Sequence, residues 1–100
     1  MITQQDAAAD RRALFGAVLS LKTSAECGAF FADLCTPAEL EALSGRWKVA
    51  RLLDKGMPYR EISQKTGIST ATVTRVARCL TYGSDGGYRR LLDRAAGGTR

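Results

Sequence analysis

The sequence predicts an all-α domain of six helices built around a helix-turn-helix. Three observations carry this. Apolar residues recur at helical spacing, and no stretch of even four residues alternates with β-branched character. Helix start and stop signals punctuate the chain, above all Thr36-Pro37-Ala38-Glu39 and the glycines at 56 and 67. Finally, Tyr59–Leu80, YREISQKTGISTATVTRVARCL, has the spacing that lets two short helices cross steeply.

In chain order, Met1–Asp6 reads as a frayed arm. A helix is expected from about Ala7 to Leu21, with Leu14, Val18 and Leu21 on one line and Phe15 and Leu19 beside it. That apolar face is wide, so the helix should be covered from more than one side. Thr23-Ser24-Ala25-Glu26 is a capping-box pattern opening a second helix, whose Cys27, Phe30, Phe31 and Leu34 have the i, i+3, i+4, i+7 spacing of a buried stripe. Thr36-Pro37-Ala38-Glu39 combines a Thr N-cap, Pro at the first helical position and Glu at the third. The helix it opens should run to Lys55 and stop at Gly56, with Leu40, Leu43, Trp47, Ala50 and Leu53 inward. Ser44-Gly45 in its middle costs about 1 kcal/mol of helix propensity and marks a candidate kink.

Met57-Pro58 leads into the helix-turn-helix. A polar helix, Tyr59–Thr66, stops at Gly67, the residue that takes a left-handed conformation at least steric cost. Ile68 plugs the turn, and Ser69 is a good N-cap for the next helix. Ile62 faces inward from the first helix, and Ser63 is small enough for close approach. On the second helix Val73, Val76, Ala77 and Leu80 fall within about 60° of one another on a wheel of roughly 100° per residue. Ala71, Arg75 and Arg78 lie opposite, with Thr74 at the shoulder. A short-chained, cationic outer face suits a helix entering a major groove. Tyr82–Gly87 is a turn-rich loop, Tyr88–Ala95 a last short helix packing Leu91 and Leu92, and Gly97–Arg100 a disordered tail. The chain thus divides into an N-terminal helical core (1–58), the helix-turn-helix (59–80) and a C-terminal loop, helix and tail (81–100), all within one domain.

Charge is unevenly spread. The first 45 residues carry 3 basic and 6 acidic side chains, whereas residues 46–100 carry 12 basic and 4 acidic. The basic part contains the helix-turn-helix, which points to a polyanion, and the motif selects double-stranded DNA over a membrane surface. Three cysteines form no CxxC, and with no histidine a zinc site is not expected. Cys27 and Cys79 sit beside apolar positions, where a free cysteine is usually packed. No signal peptide, transit peptide or long apolar run is present, so a cytoplasmic, reduced setting is expected. Catalysis is not expected either, because no histidine, paired carboxylates or base-partnered cysteine is present.

Cys35-Thr36-Pro37 through Leu43, then Arg46, the helix-turn-helix and the run SerThrAlaThrValThrArg together resemble the bacterial Trp repressor family. AECGAFFADLCTPAELEAL and STATVTRVARCLTYGSDGGY are similar to its YerC/YecD-like branch. The resemblance covers roughly Leu21–Asp93. It implies an intertwined all-helical homodimer with a shared core of N-terminal helices and two recognition helices for successive major grooves. It also implies a candidate effector pocket at Thr36, Arg46, Arg75 and Cys79, since two arginines sandwich the ligand indole in the Trp repressor. Here the glycine that follows the second arginine there is Val76, the ligand-contacting serine is Cys79, and the turn is one residue shorter. The arginines argue for an effector, and the filled slot argues against tryptophan. No cofactor is required.

The expected function is a sequence-specific DNA-binding transcriptional regulator, a repressor, acting as a homodimer. Tyr59, Arg60, Lys65 and Ser69 should approach the DNA backbone, and Thr70, Ala71, Thr74, Arg75 and Arg78 should face base edges. The rival of a different class is a protein-interaction module that keeps the scaffold without specific DNA binding.

Overall fold

A computed structural model of the chain describes residues 3–96, which form six helices and no strand. They are α1 (Gln4–Leu19), α2 (Ser24–Leu34), α3 (Pro37–Asp54), α4 (Tyr59–Thr66), α5 (Thr70–Tyr82) and α6 (Gly87–Ala95). The tail expected at Gly97–Arg100 lies outside the described residues. By contact density the chain divides into two compact units, Met1–Leu40 and Glu41–Arg100.

In the first unit α1 begins earlier than expected. Thr3 accepts a hydrogen bond from the Asp6 amide at 3.1 Å, and the Asp6 carboxylate accepts from the Thr3 amide at 3.4 Å. This reciprocal box starts the helix at Gln4, so the arm expected to fray is capped from Thr3 onward. At α2 only half of the expected box forms. Thr23 accepts from the Glu26 amide, but the Glu26 carboxylate accepts from Lys22 instead.

Neither α1 nor α2 buries a single residue. The expected buried stripe of α2 is a correction: Cys27, Phe30 and Phe31 are half-buried, and Leu34 is exposed. The Phe30 and Phe31 rings meet edge to face, 5.6 Å between centroids. On α1 the line Leu14, Val18 and Leu21 is half-buried, while Phe15 is 56% and Leu19 85% exposed. Leu14, Phe15, Val18, Leu19 and Phe31 line an apolar groove of about 480 Å³.

The hydrophobic core lies in the second unit. Val49 and Ala50 of α3, Ile62 of α4, Val73 and Val76 of α5 and Leu92 of α6 form one buried cluster, and α5 packs against both α4 and α6. Each large apolar side chain in it contributes about 1.5–3 kcal/mol relative to exposure. Val49 was not on the expected inward line of α3; it is buried because the α4–α5 pair covers that side of the helix too. Leu43, expected inward, is 43% exposed. Likewise Leu92 is buried, but Leu91, expected to pack with it, is 52% exposed.

Gly45 has a packing reason. A Cβ there would meet Cδ1 of Ile68 at 3.1 Å, so the glycine admits the residue that plugs the turn, and α3 runs unbroken through it. Gly56, with φ 86°, ends the α3 turn as expected. An ion pair from Arg89 of α6 to Asp54 of α3, continued to Asp93 at 3.2 Å, ties α6 to the end of α3. The hydrogen bond to Asp54 is the main reason the Arg89 pKa is raised above its ordinary value.

Candidate nucleic-acid interface

The site is built from a short turn and the two helices it joins. The α4 helix ends at Gly67, whose φ of 75° is left-handed and whose amide donates to the Ser63 carbonyl at 2.9 Å. Ser63 Oγ donates across the turn to the Ile68 carbonyl at 2.7 Å. Thr66 Oγ1 donates to the Ile62 carbonyl and accepts from the Ile68 amide. Backbone groups freed at the end of α4 thus find partners, which fixes the path into α5. Ser69 then caps α5: its Oγ accepts from the Thr72 amide at 3.2 Å and donates to Thr72 Oγ1 at 3.1 Å.

With α5 anchored this way, its two faces separate as the wheel requires. Val73, Val76 and Ala77 are 0%, 2% and 4% exposed, and Leu80 is half-buried. Thr70, Ala71, Thr74, Arg75 and Arg78 are all exposed on the other side. On α4, Tyr59, Arg60 and Lys65 are exposed as well. Lys65 pairs with Glu61 at 3.6 Å, but both side chains are largely in solvent, so the pair is weak and the ammonium remains available. Ser69 is exposed, yet its hydroxyl is already committed to capping. The outer surface therefore offers cations and small polar groups at the start and middle of α5, flanked by two more cations on α4.

The four residues of the candidate effector pocket fare differently. Arg46 is exposed and lines a small cavity of about 160 Å³ with Gly45, Ile68 and Thr72. Thr72, which the sequence pattern did not single out, shares that cavity; its only prior signal was its place three residues after the cap. Cys79 lines a different cavity and is exposed, a correction to its expected packing. Arg75 is exposed on the outer face, and the Val76 that follows it is inward, as expected. Thr36 belongs to the first unit and is occupied in capping α3. Its Oγ accepts from the Glu39 amide at 3.1 Å, and its own amide donates to the Glu39 carboxylate at 2.8 Å. These bonds, the one from the Thr36 backbone foremost, hold the Glu39 pKa below its ordinary value.

A basic helical unit that buries one face of a capped helix and exposes its cationic face is the build of a DNA-binding regulator. The comparisons with known proteins give the family. The family model described as Trp repressor protein matches residues 9–96, and the chain belongs to that family. It is 52% identical over 81 residues to the uncharacterized protein YerC of Bacillus subtilis, covering 81% of this chain and 77% of that one. It is 46% identical over 52 residues to a Trp operon repressor homolog of Actinobacillus succinogenes, about half of each chain. Among solved structures, a TrpR-like protein from Eubacterium eligens superposes with a TM-score of 0.80 at 43% identity, over 98% of this chain and 95% of that one. In general terms, then, the protein is a DNA-binding regulator of the Trp repressor family.

Proposed function

We propose that the protein is a transcriptional repressor that binds a two-fold symmetric operator as an intertwined homodimer, reading each half-site with α5. One observation carries the reading: the outer face of α5 exposes Thr70, Ala71, Thr74, Arg75 and Arg78 while its opposite face is core. In the major groove Arg75 and Arg78 have the donors to take guanine O6 and N7, and the methyls of Ala71, Thr70 and Thr74 suit thymine. Tyr59, Arg60 and Lys65 of α4 take backbone phosphates, which sets register without reading sequence. The apolar groove of α1 and α2, with Phe15 and Leu19 exposed and no buried residue in either helix, supports the dimer, in which a second copy covers it.

Tryptophan is not the corepressor on this reading. The residue after Arg75 is a β-branched valine 2% exposed within the core cluster, so it is stiff about χ1 and has no solvent side to swing into. Fitting an indole over it overpacks the site at about 1–3 kcal/mol.

Selection of bound sequences from random duplex DNA, followed by titration of the winner across salt, tests the function. The expected result is a palindromic site whose half-sites lie about one helical turn apart. If each subunit neutralises roughly 3–5 phosphates, the log–log salt slope is about −5 to −9. No enriched sequence and a slope near zero would overturn the reading.

A further inference from the structure

A cavity of about 390 Å³ lies within the second unit, apart from the outer face of α5. Its walls are the Trp47 ring from α3, Cys79 near the end of α5, Tyr88 and Leu91 from α6, and the glycine-rich loop that joins those last two helices. Its volume falls in the range of small-molecule sites, roughly 300–1,000 Å³. The Trp47 and Tyr88 rings are near-parallel, with planes 16° apart and centroids 6.4 Å apart, and so make one aromatic wall. Leu91, 52% exposed and outside the core cluster, is the aliphatic side.

The loop is shaped to leave this space. Gly83 follows α5 so tightly that a Cβ there would lie 2.3 Å from the Cys79 carbonyl oxygen. Gly86 is left-handed, with φ 66°, and turns the chain into α6. Between them Asp85 puts a carboxylate on the lining, the one charged side chain there. The aromatic and aliphatic walls favour a ring, and the carboxylate favours a cation at one end of it. Faces of Trp and Tyr also attract ammonium groups.

We propose that this cavity binds a small aromatic primary amine, its ring against Trp47, Tyr88 and Leu91 and its ammonium on Asp85. A free carboxylate on the same ligand is disfavoured, because it would sit beside Asp85. Since Cys79 belongs to α5, occupancy acts on the helix that carries Arg75 and Arg78; this regulatory part rests on the DNA-binding reading above.

The protein supplies its own reporter, because Trp47 is its single tryptophan. Phenethylamine and 3-phenylpropanoate, which share a ring and differ in charge, are titrated against the intact protein without DNA while Trp47 emission is followed. Phenethylamine should give a saturable change and 3-phenylpropanoate none. Asp85→Asn, at an exposed loop position, should weaken phenethylamine binding about three- to tenfold at low salt, because a charge-assisted contact is lost. Leu91→Ala should weaken it as well without unfolding the protein. No saturable change, equal response to both compounds, or indifference to Asp85→Asn would each overturn the site. Operator affinity measured with and without phenethylamine then tests the regulatory part, which an unchanged affinity at saturation overturns. Failure of the protein to bind any DNA would count against the DNA reading alone, since the fluorescence titration contains none.

Discussion

Replacing Arg75 with alanine separates a side chain that reads DNA from one that holds the fold. Arg75 is exposed on α5 and makes no ion pair among the described residues. It stands beside Val76, which is 2% exposed and belongs to the core cluster. Truncating the arginine removes no core atoms, and alanine is at least as good a helix former, so folding stability should move by no more than about 0.5 kcal/mol. A bidentate contact to guanine is worth about 1–3 kcal/mol at each half-site, roughly a five- to 160-fold loss of affinity, with relaxed preference at one base pair. Thermal unfolding, together with fluorescence anisotropy on the selected operator and on a variant changed at that base, measures both quantities. Lys65→Ala is the control: it should weaken all sequences alike and reduce the salt slope by about 1. Two results would refute the reasoning. One is an Arg75→Ala protein with wild-type affinity and selectivity; the other is a loss of stability above about 2 kcal/mol, which would make the arginine a structural residue.

Ile62→Ala should cost about 2–5 kcal/mol of folding stability in denaturant titrations, since the side chain is 0% exposed at the junction of α3, α4 and α5; a loss below about 1 kcal/mol would mean the site collapses around the cavity. Sedimentation at low micromolar concentration should give a dimer, and Leu19→Glu on α1, where Leu19 is 85% exposed, should give a folded monomer; a compact wild-type monomer would sink the shared-core arrangement. Glu39 has a pKa lowered in the folded state, so its contribution to α3 is present above the ordinary glutamate value of 4.5 and is lost as pH falls through the lower folded-state value. Carbon-detected NMR should place its midpoint below 4.5 and show it rising in Thr36→Ala; a midpoint unmoved by that substitution would deny the cap. Calorimetry with L-tryptophan should show no low-micromolar binding, and a tight complex with enhanced operator affinity would show the inference from Val76 to be wrong.

Local chemistry made much of this protein legible in its residues. The limits of α4, the cap at Ser69, the stop at Gly67 and the box at Thr36 depend on neighbours within four positions, which a sequence displays directly. The same is true of the two faces of α5, because one helix turn sets which residues share a side. The start of α1 was equally local, at Thr3 and Asp6, but a polar cap near a chain terminus carries no apolar run to announce it. Tertiary packing decided the rest. Val49 is buried because α4 and α5 cover a side of α3 that its own periodicity does not favour, and Gly45 is needed because Ile68, distant in sequence, comes within 3.1 Å of the place where a Cβ would lie. Leu92 is buried and Leu91 exposed although both are leucines in the same turn, and Cys79 faces a cavity rather than a neighbour. Periodicity states which residues share a face; which face meets another element depends on how long-range contacts bring the helices together, and no window of neighbouring residues contains that information.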